Sequence, residues 1–122
     1  MNFNNNAPIY MQIMNLIKKD IILGKLALGE KVLSTREYAQ NLNVNPNTMV
    51  RVFNELEREG VTFTKRGIGT FITESTEKVE SMKKEMAEDI INNFINGMVE
   101  LGFTMEDMIN LIKNRLEREA VQ

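Results

Sequence analysis

The chain has 122 residues, a formal net charge of −2 and 43% hydrophobic residues, which suits one small folded domain with an appendage. Histidine, cysteine and tryptophan are absent. Nucleophiles based on His or Cys, disulfides and zinc sites built from those residues are therefore excluded, and we expect no catalysis, no cofactor and no metal site. The isoelectric point of about 5.3, taken alone, argues against a nucleic-acid partner.

The first residues, Met-Asn-Phe-Asn-Asn-Asn, include neither the basic region nor the apolar region of an export signal. No apolar run approaches the roughly 18–20 residues that a membrane span requires. The sequence therefore predicts a cytoplasmic protein without a membrane partner.

Charge divides the chain into two parts. Residues 1–74 contain nine Lys or Arg and seven Asp or Glu, a net charge of +2, whereas residues 75–122 contain six and ten, a net charge of −4. The change falls at a polar stretch around Ser75. We therefore expect a slightly basic N-terminal domain over 1–74 and an acidic C-terminal segment over 75–122.

The first helix is predicted to begin near Pro8, because proline fits the first helical turn, with Asn6 as its N-cap. Its predicted core face consists of Tyr10, Ile13, Ile17 and Ile21. Gly24 supplies the signal that ends it.

Two further helices follow, each with its own start signal. Ser34 and Glu37 have the spacing of a capping box, in which each side chain accepts a hydrogen bond from the backbone N–H of the other. Asn45 is a good N-cap, and Pro46 stands at the first helical position. Apolar residues then recur at i, i+3, i+4 and i+7: Met49, Val52, Phe53 and Leu56. The short connection between the two helices predicts a helix-turn-helix.

Residues 61–65 and 70–73 alternate between apolar and polar side chains, the pattern of two strands. The turn between them, residues 66–69, contains Gly67 and Gly69 and predicts a β-hairpin. Three helices followed by a hairpin describe a winged helix-turn-helix. The expected fold class is therefore mainly α with a small β-hairpin.

Residues 75–122 carry apolar side chains at helical spacing and predict two helices, separated near Gly102 and Thr104. These 48 residues are too few to enclose a good core alone, so they need either the first domain or a second copy of themselves. We predict a homodimer. Its expected interface lies on the apolar faces of these helices: Met86, Ile90, Phe94, Met98, Met108 and Ile112.

Several motifs resemble the GntR family of bacterial transcriptional regulators. They are Pro8-Ile9-Tyr10-Met11-Gln12-Ile13, Gly24-Lys25-Leu26, Leu33-Ser34-Thr35-Arg36-Glu37, Asn45-Pro46-Asn47-Thr48, Glu57-Arg58-Glu59-Gly60 and Gly67-Ile68-Gly69-Thr70-Phe71. The resemblance covers residues 7–74 in the family's order and spacing. One departure is Leu33, where the family usually has proline. The short two-helix C-terminal segment resembles the YtrA subfamily, which lacks a large effector domain.

The resemblance implies a DNA-binding transcriptional regulator whose third helix enters the major groove and whose hairpin, the wing, touches the neighbouring backbone or minor groove. The N-terminus of a helix favours phosphate, and an arginine one turn further along can reach a guanine edge. The residues predicted to contact DNA are Ser34, Thr35, Arg36, Asn45, Pro46, Asn47, Thr48, Arg51, Lys65, Arg66, Gly67 and Gly69. The expected partner is a double-stranded, palindromic DNA operator. A homodimer bound there would repress by occupying the promoter.

Simpler alternatives stand beside these assignments. Asn47 and Thr48 could serve only to cap their helix, and the Arg51 side chain could be merely solvated. Arg36 could pair with Glu37 or another carboxylate rather than with a phosphate.

The alternative function is a winged-helix protein-interaction module without DNA binding. That module would need no cations on its wing, whereas this sequence has Lys65 and Arg66 there. A small-molecule effector is left open, because no motif specifies one.

Overall fold

The structure is a computed structural model that describes Phe3 and residues 7–121. Its helices are α1 (Ile9–Ile22), α2 (Thr35–Leu42), α3 (Pro46–Arg58), α4 (Thr76–Glu100) and α5 (Met105–Val121), and its strands are β1 (Thr62–Lys65) and β2 (Gly69–Ile72). The order from α1 to β2 is that of a winged helix-turn-helix. The expected fold class, mainly α with a small β-hairpin, is confirmed.

The chain forms two compact units, Met1–Lys83 and Lys84–Gln122. The first unit includes the beginning of α4, because Val79 packs against its core and Met82 is buried within it. The packing of the first unit thus continues past residue 74. This division follows the packing, whereas the predicted division at residue 74 follows the charge of the sequence.

Helix α1 begins directly after Pro8 and ends before Gly24, whose φ of 77° is the left-handed conformation that glycine adopts without strain. The predicted cap, Asn6, lies outside the described residues. Ile13, Ile17 and Ile21 are buried as predicted. Helix α1 therefore supplies one wall of the core of the first unit.

Local side-chain hydrogen bonds determine where α2 and α3 begin. The Glu37 N–H donates to Ser34 Oγ at 3.1 Å, and the Ser34 N–H donates to Glu37 Oε1 at 3.2 Å. This capping box forms with leucine rather than proline at position 33. At α3, the Asn47 N–H donates to Asn45 Oδ1 at 2.8 Å. Both predicted start signals are confirmed.

The core of the first unit is formed where the apolar faces of α1, α2 and α3 meet. The whole predicted stripe of α3 is buried, as is Ala39 of α2. The Tyr38 and Phe53 rings lie 5.6 Å apart between centroids. Burial of these faces fixes the orientation of α3 and leaves its opposite face exposed to solvent.

The hairpin is antiparallel, with Thr62 opposite Ile72 and Lys65 opposite Gly69. Gly69 therefore belongs to β2 rather than to the turn, where the sequence placed it. The chain before α2 lies along the other edge of β2. Its Val32 N–H donates to the Thr70 carbonyl at 2.9 Å, and its Glu30 carbonyl accepts from the Ile72 N–H at 2.8 Å. This additional pairing ties the wing to the helix-turn-helix.

The second unit consists of the remainder of α4 and α5, joined by a tight turn. The Phe103 N–H donates to the Met98 carbonyl at 3.0 Å, and Gly102 has a φ of 88°. The Asp107 N–H donates to Thr104 Oγ1 at 3.1 Å, and the Thr104 N–H donates to Asp107 Oδ2 at 2.9 Å. The hydrogen bond from the Thr104 N–H, followed by one from the Thr104 side chain, lowers the pKa of the Asp107 carboxyl. The predicted helix start at Thr104 is confirmed.

Many large apolar side chains of the second unit remain exposed. They include Ile90, Ile91, Phe94, Val99, Leu101, Ile109, Leu111, Ile112 and Leu116. Among the described residues, no helix is long and apolar enough to cross a membrane.

Candidate nucleic-acid interface

The exposed face of α3 begins at its N-terminus and continues through Arg51. Asn47, Val50 and Arg51 are exposed, and Thr48 is half-buried. Asn45 has its side-chain oxygen committed to the cap of the helix, so its confirmed role is structural. The Asn47 N–H is used in the same bond, whereas the Asn47 side chain points to no partner within the described residues.

Arg51 does not extend freely into solvent. Its guanidinium carbon lies 3.7 Å from the centroid of the Tyr10 ring, in the first turn of α1. Arg51 makes no ion pair or hydrogen bond within residues 7–121. The Arg51 side chain is therefore not merely solvated. One face of its guanidinium lies against an aromatic ring, while its N–H donors have no partner within the described residues.

The N-terminus of α2 presents Thr35 and Arg36. Ser34 serves as the cap, which uses its oxygen as an acceptor. The predicted alternative, a pair between Arg36 and Glu37, does not form, and the Glu37 carboxylate accepts from the Ser34 N–H. Arg36 is exposed and has no ionic partner in the part of the chain that the structure describes.

Two clefts bring predicted residues together. A cleft of about 350 Å³ between the α2 cap and the wing is lined by Ser34, Thr35 and Gly69, among others. A second cleft of about 400 Å³, at the turn between α2 and α3, is lined by Arg36 and Pro46. The α2 start, the wing and the α3 start thus form neighbouring parts of one surface.

Lys65 of the wing lies over an aromatic pair. The rings of Phe63 and Phe71 stack with centroids 5.7 Å apart. Lys65 Nζ lies 4.8 Å from the Phe71 centroid and 5.9 Å from that of Phe63. Arg66 is exposed beside Gly67, which has a φ of 78°. The wing is therefore a short, ordered hairpin with two cations near its tip.

The sequence prediction missed Lys31. It forms an isolated β-bridge with Phe71, and a Cβ placed on Gly69 would lie only 2.7 Å from Lys31 Cε. A third cation thus lies along the wing. No local pattern signals it, because residue 31 reaches β2 only through long-range pairing.

Two other cations of the first unit are paired. Lys18 Nζ lies 2.7 Å from Glu59 Oε1, which links α1 to the residue after α3. Arg58 Nη2 lies 3.0 Å from Glu55 Oε1. By contrast, Lys31, Arg36, Arg51, Lys65 and Arg66 have no carboxylate partner within the described residues. Unpaired cations on adjoining elements form a surface that favours the binding of a polyanion.

Comparison with known proteins relates the chain to bacterial transcriptional regulators. The family described as bacterial regulatory proteins, gntR family, matches residues 9–72. The HTH-type transcriptional regulator YhcF of Bacillus subtilis is 40% identical over 115 residues, covering 94% of this chain and 95% of that protein. The HTH-type transcriptional repressor YtrA of Bacillus subtilis is 35% identical over 100 residues, covering 77% of each chain.

A solved structure shares the fold over most of its length. It is a GntR family transcriptional regulator from Listeria monocytogenes, with a TM-score of 0.83 and 38% sequence identity. The match covers 92% of this chain and 98% of that one. The similarity therefore includes the C-terminal helices as well as the winged helix-turn-helix.

Proposed function

The chain belongs to the gntR family of bacterial regulatory proteins, and we propose that it acts as a homodimeric repressor that binds a palindromic DNA operator. The observation that carries this proposal is that five cations on adjoining elements have no ionic partner within the described residues: Lys31, Arg36, Arg51, Lys65 and Arg66. All of them lie on α2, α3 or the wing and its flanking segment. Binding to DNA would give each a phosphate or a base edge and would release counterions.

Base reading is assigned to α3. Arg51 is the residue with the reach and the free donors to bind the O6 and N7 atoms of guanine, and Asn47 can bind adenine in the same way. Thr48, half-buried in the first turn of α3, is assigned to a phosphate contact at the helix N-terminus.

Contacts to the DNA backbone are assigned to the wing and to the start of α2. Lys65, Arg66 and Lys31 supply charge along the hairpin. Gly67 lacks a side chain at the turn, so the sugar-phosphate backbone can approach closely there. Arg36 and Thr35 supply further contacts from the start of α2. These residues set position and affinity, whereas α3 sets the sequence that is bound.

Dimerisation is assigned to the second unit, within the functional segment 75–122. Phe94, Met98, Ile112 and Leu116 line an apolar groove of about 230 Å³, and exposed apolar surface of this kind favours association. Met108 is only 3% exposed within the single chain, so we assign it to the support of the interface rather than to its surface. A two-fold dimer would bring two α3 helices to half-sites roughly 34 Å apart.

We assign no catalytic activity to the chain. Repression would follow from occupation of the promoter by the dimer. A small-molecule effector stays open, because no motif specifies one.

Selection from a library of random-sequence duplexes with the wild-type protein tests this function. We expect enrichment of a palindrome whose half-sites are one helical turn apart, and a measured affinity that falls steeply with salt. Failure to enrich any sequence, with dimer confirmed by light scattering in the same sample, would contradict it. That outcome would favour the protein-interaction module.

A further inference from the structure

The contact between Tyr10 and Arg51 joins α1 to the predicted base-reading face of α3, with the guanidinium carbon 3.7 Å from the ring centroid. We propose that Tyr10 is a positioning residue, which holds Arg51 ready for a base edge before DNA arrives. This inference rests on the proposed function, in which Arg51 reads a base.

The ring is well anchored. Tyr10 is half-buried and packs against the core of the first unit, on the same face of α1 as the fully buried Ile13 and Ile17. At the other end of α1, the pair between Lys18 and Glu59 joins the helix to the residue after α3. The ring therefore has a fixed position relative to the backbone of Arg51.

The stacking leaves the binding edge of the guanidinium unoccupied. A guanidinium is planar, and its N–H donors point outward in the plane, so an aromatic ring on its face takes none of them. Arg58 in the same helix shows the contrast, because Glu55 occupies its Nη2 at 3.0 Å. A neutral ring orders the arginine without competing for the base, which a carboxylate could not do.

Ordering the side chain in advance reduces the entropy that binding must remove. A long arginine side chain loses substantial rotamer freedom when it is fixed. A cation–π contact at an exposed site corresponds to a change of about two- to fivefold in an equilibrium constant. The effect is expected on the cognate operator, where Arg51 must adopt one geometry, and not on DNA that it does not read.

The test measures dissociation constants of wild type, Tyr10→Leu, Tyr10→Phe, Arg51→Ala and the Tyr10→Leu/Arg51→Ala double variant. The probes are the duplex enriched by the wild-type protein, the same duplex with the Arg51 base pair changed, and a scrambled duplex. We expect Tyr10→Leu to bind the enriched duplex about two- to fivefold more weakly, with reduced discrimination at that base pair. Tyr10→Phe should behave as wild type, and Tyr10→Leu should have no further effect once Arg51 is alanine.

Several results would overturn the proposal. Unchanged or tighter binding by Tyr10→Leu would do so, and tighter binding would mean that the ring holds Arg51 away from DNA. An equal loss in the Arg51→Ala background would make the role of Tyr10 structural. If Arg51→Ala itself binds like wild type, the assigned role of Arg51 fails as well. If Tyr10→Leu binds like wild type while Arg51→Ala binds more weakly, the positioning role of Tyr10 fails and the assigned role of Arg51 stands.

Thermal unfolding of each variant verifies the fold, and Tyr10→Gln replaces Tyr10→Leu if the latter does not fold. Met11→Ala, at an exposed position of the same helical turn, is the matched control and should bind all three duplexes as the wild type does.

Discussion

The side chain of Lys31 lies across Gly69, so closely that a Cβ on Gly69 would be 2.7 Å from Lys31 Cε. The two residues are far apart in sequence and meet because residue 31 pairs with Phe71 beside the wing. Gly69 has a φ of 148°, which side chains rarely adopt. The absence of a side chain at Gly69 thus leaves space for Lys31, which lies beside the hairpin that carries Lys65 and Arg66.

Lys31→Ala should weaken binding to the selected operator and to scrambled DNA by similar factors. The reason is that a backbone contact depends on charge and not on sequence. The slope of log affinity against log salt should decrease by about one. Fluorescence anisotropy over a salt series measures it. Lys19→Ala, which removes an exposed lysine in the last turn of α1, should leave the slope unchanged; equal effects of both changes would refute a specific role for Lys31.

Ser34→Ala should lower the free energy of unfolding by about 1 kcal/mol, because it removes the acceptor that caps α2. Urea unfolding monitored by circular dichroism measures the loss. Ser34→Thr should retain most of the stability. Ser81→Ala, at an exposed serine inside α4, should cause no loss; a similar loss there would show that the effect is not one of capping.

Local signals such as this cap could be predicted from sequence because every participating residue lies within one helical turn. The same holds for Asn45 before α3 and for the turn at Gly102. The apolar stripe of α3 was equally predictable, since burial follows its period.

Contacts between distant segments could not be predicted in this way. The stack of Arg51 on Tyr10, the pair of Lys18 with Glu59 and the bridge of Lys31 to Phe71 all depend on how elements pack together. Met108 illustrates the same limit, because periodicity places it on the apolar face but does not show that the single chain already buries it.

Phe94→Asp should convert the dimer to a monomer, because it places a charge in the apolar groove of the second unit. Multi-angle light scattering measures the mass. Asn93→Asp adds the same charge at the neighbouring exposed position and should leave a dimer. A dimer that persists in Phe94→Asp would locate the interface elsewhere.

Stability should decline at alkaline pH through Tyr38. Burial, followed by the carboxylates of Asp20 and Glu30, raises the pKa of Tyr38 above the 10.0 of a free tyrosine. The unfolded chain then loses this proton at a lower pH than the folded chain does. Protonated Tyr38 therefore contributes its full share to the free energy of unfolding below pH 10. This contribution is lost as pH rises through the raised pKa of Tyr38 in the folded chain.

Urea midpoints at about pH 8 and about pH 10.5 for wild type and Tyr38→Phe measure this effect. The wild type should lose more stability between the two than Tyr38→Phe does. Equal losses would contradict the assignment to Tyr38.

The central claim is that α3 reads the bases and the wing contacts the DNA backbone. It is tested most directly by the affinities of Arg51→Ala and Lys65→Ala for the enriched duplex and for scrambled DNA. Arg51→Ala should cost about 1–3 kcal/mol on the enriched duplex, relax base choice at one position and change scrambled binding little. Lys65→Ala should weaken binding to both duplexes alike and flatten the salt dependence. If each variant changes the affinities for enriched and scrambled DNA by the same factor, α3 does not read the sequence and the account is wrong.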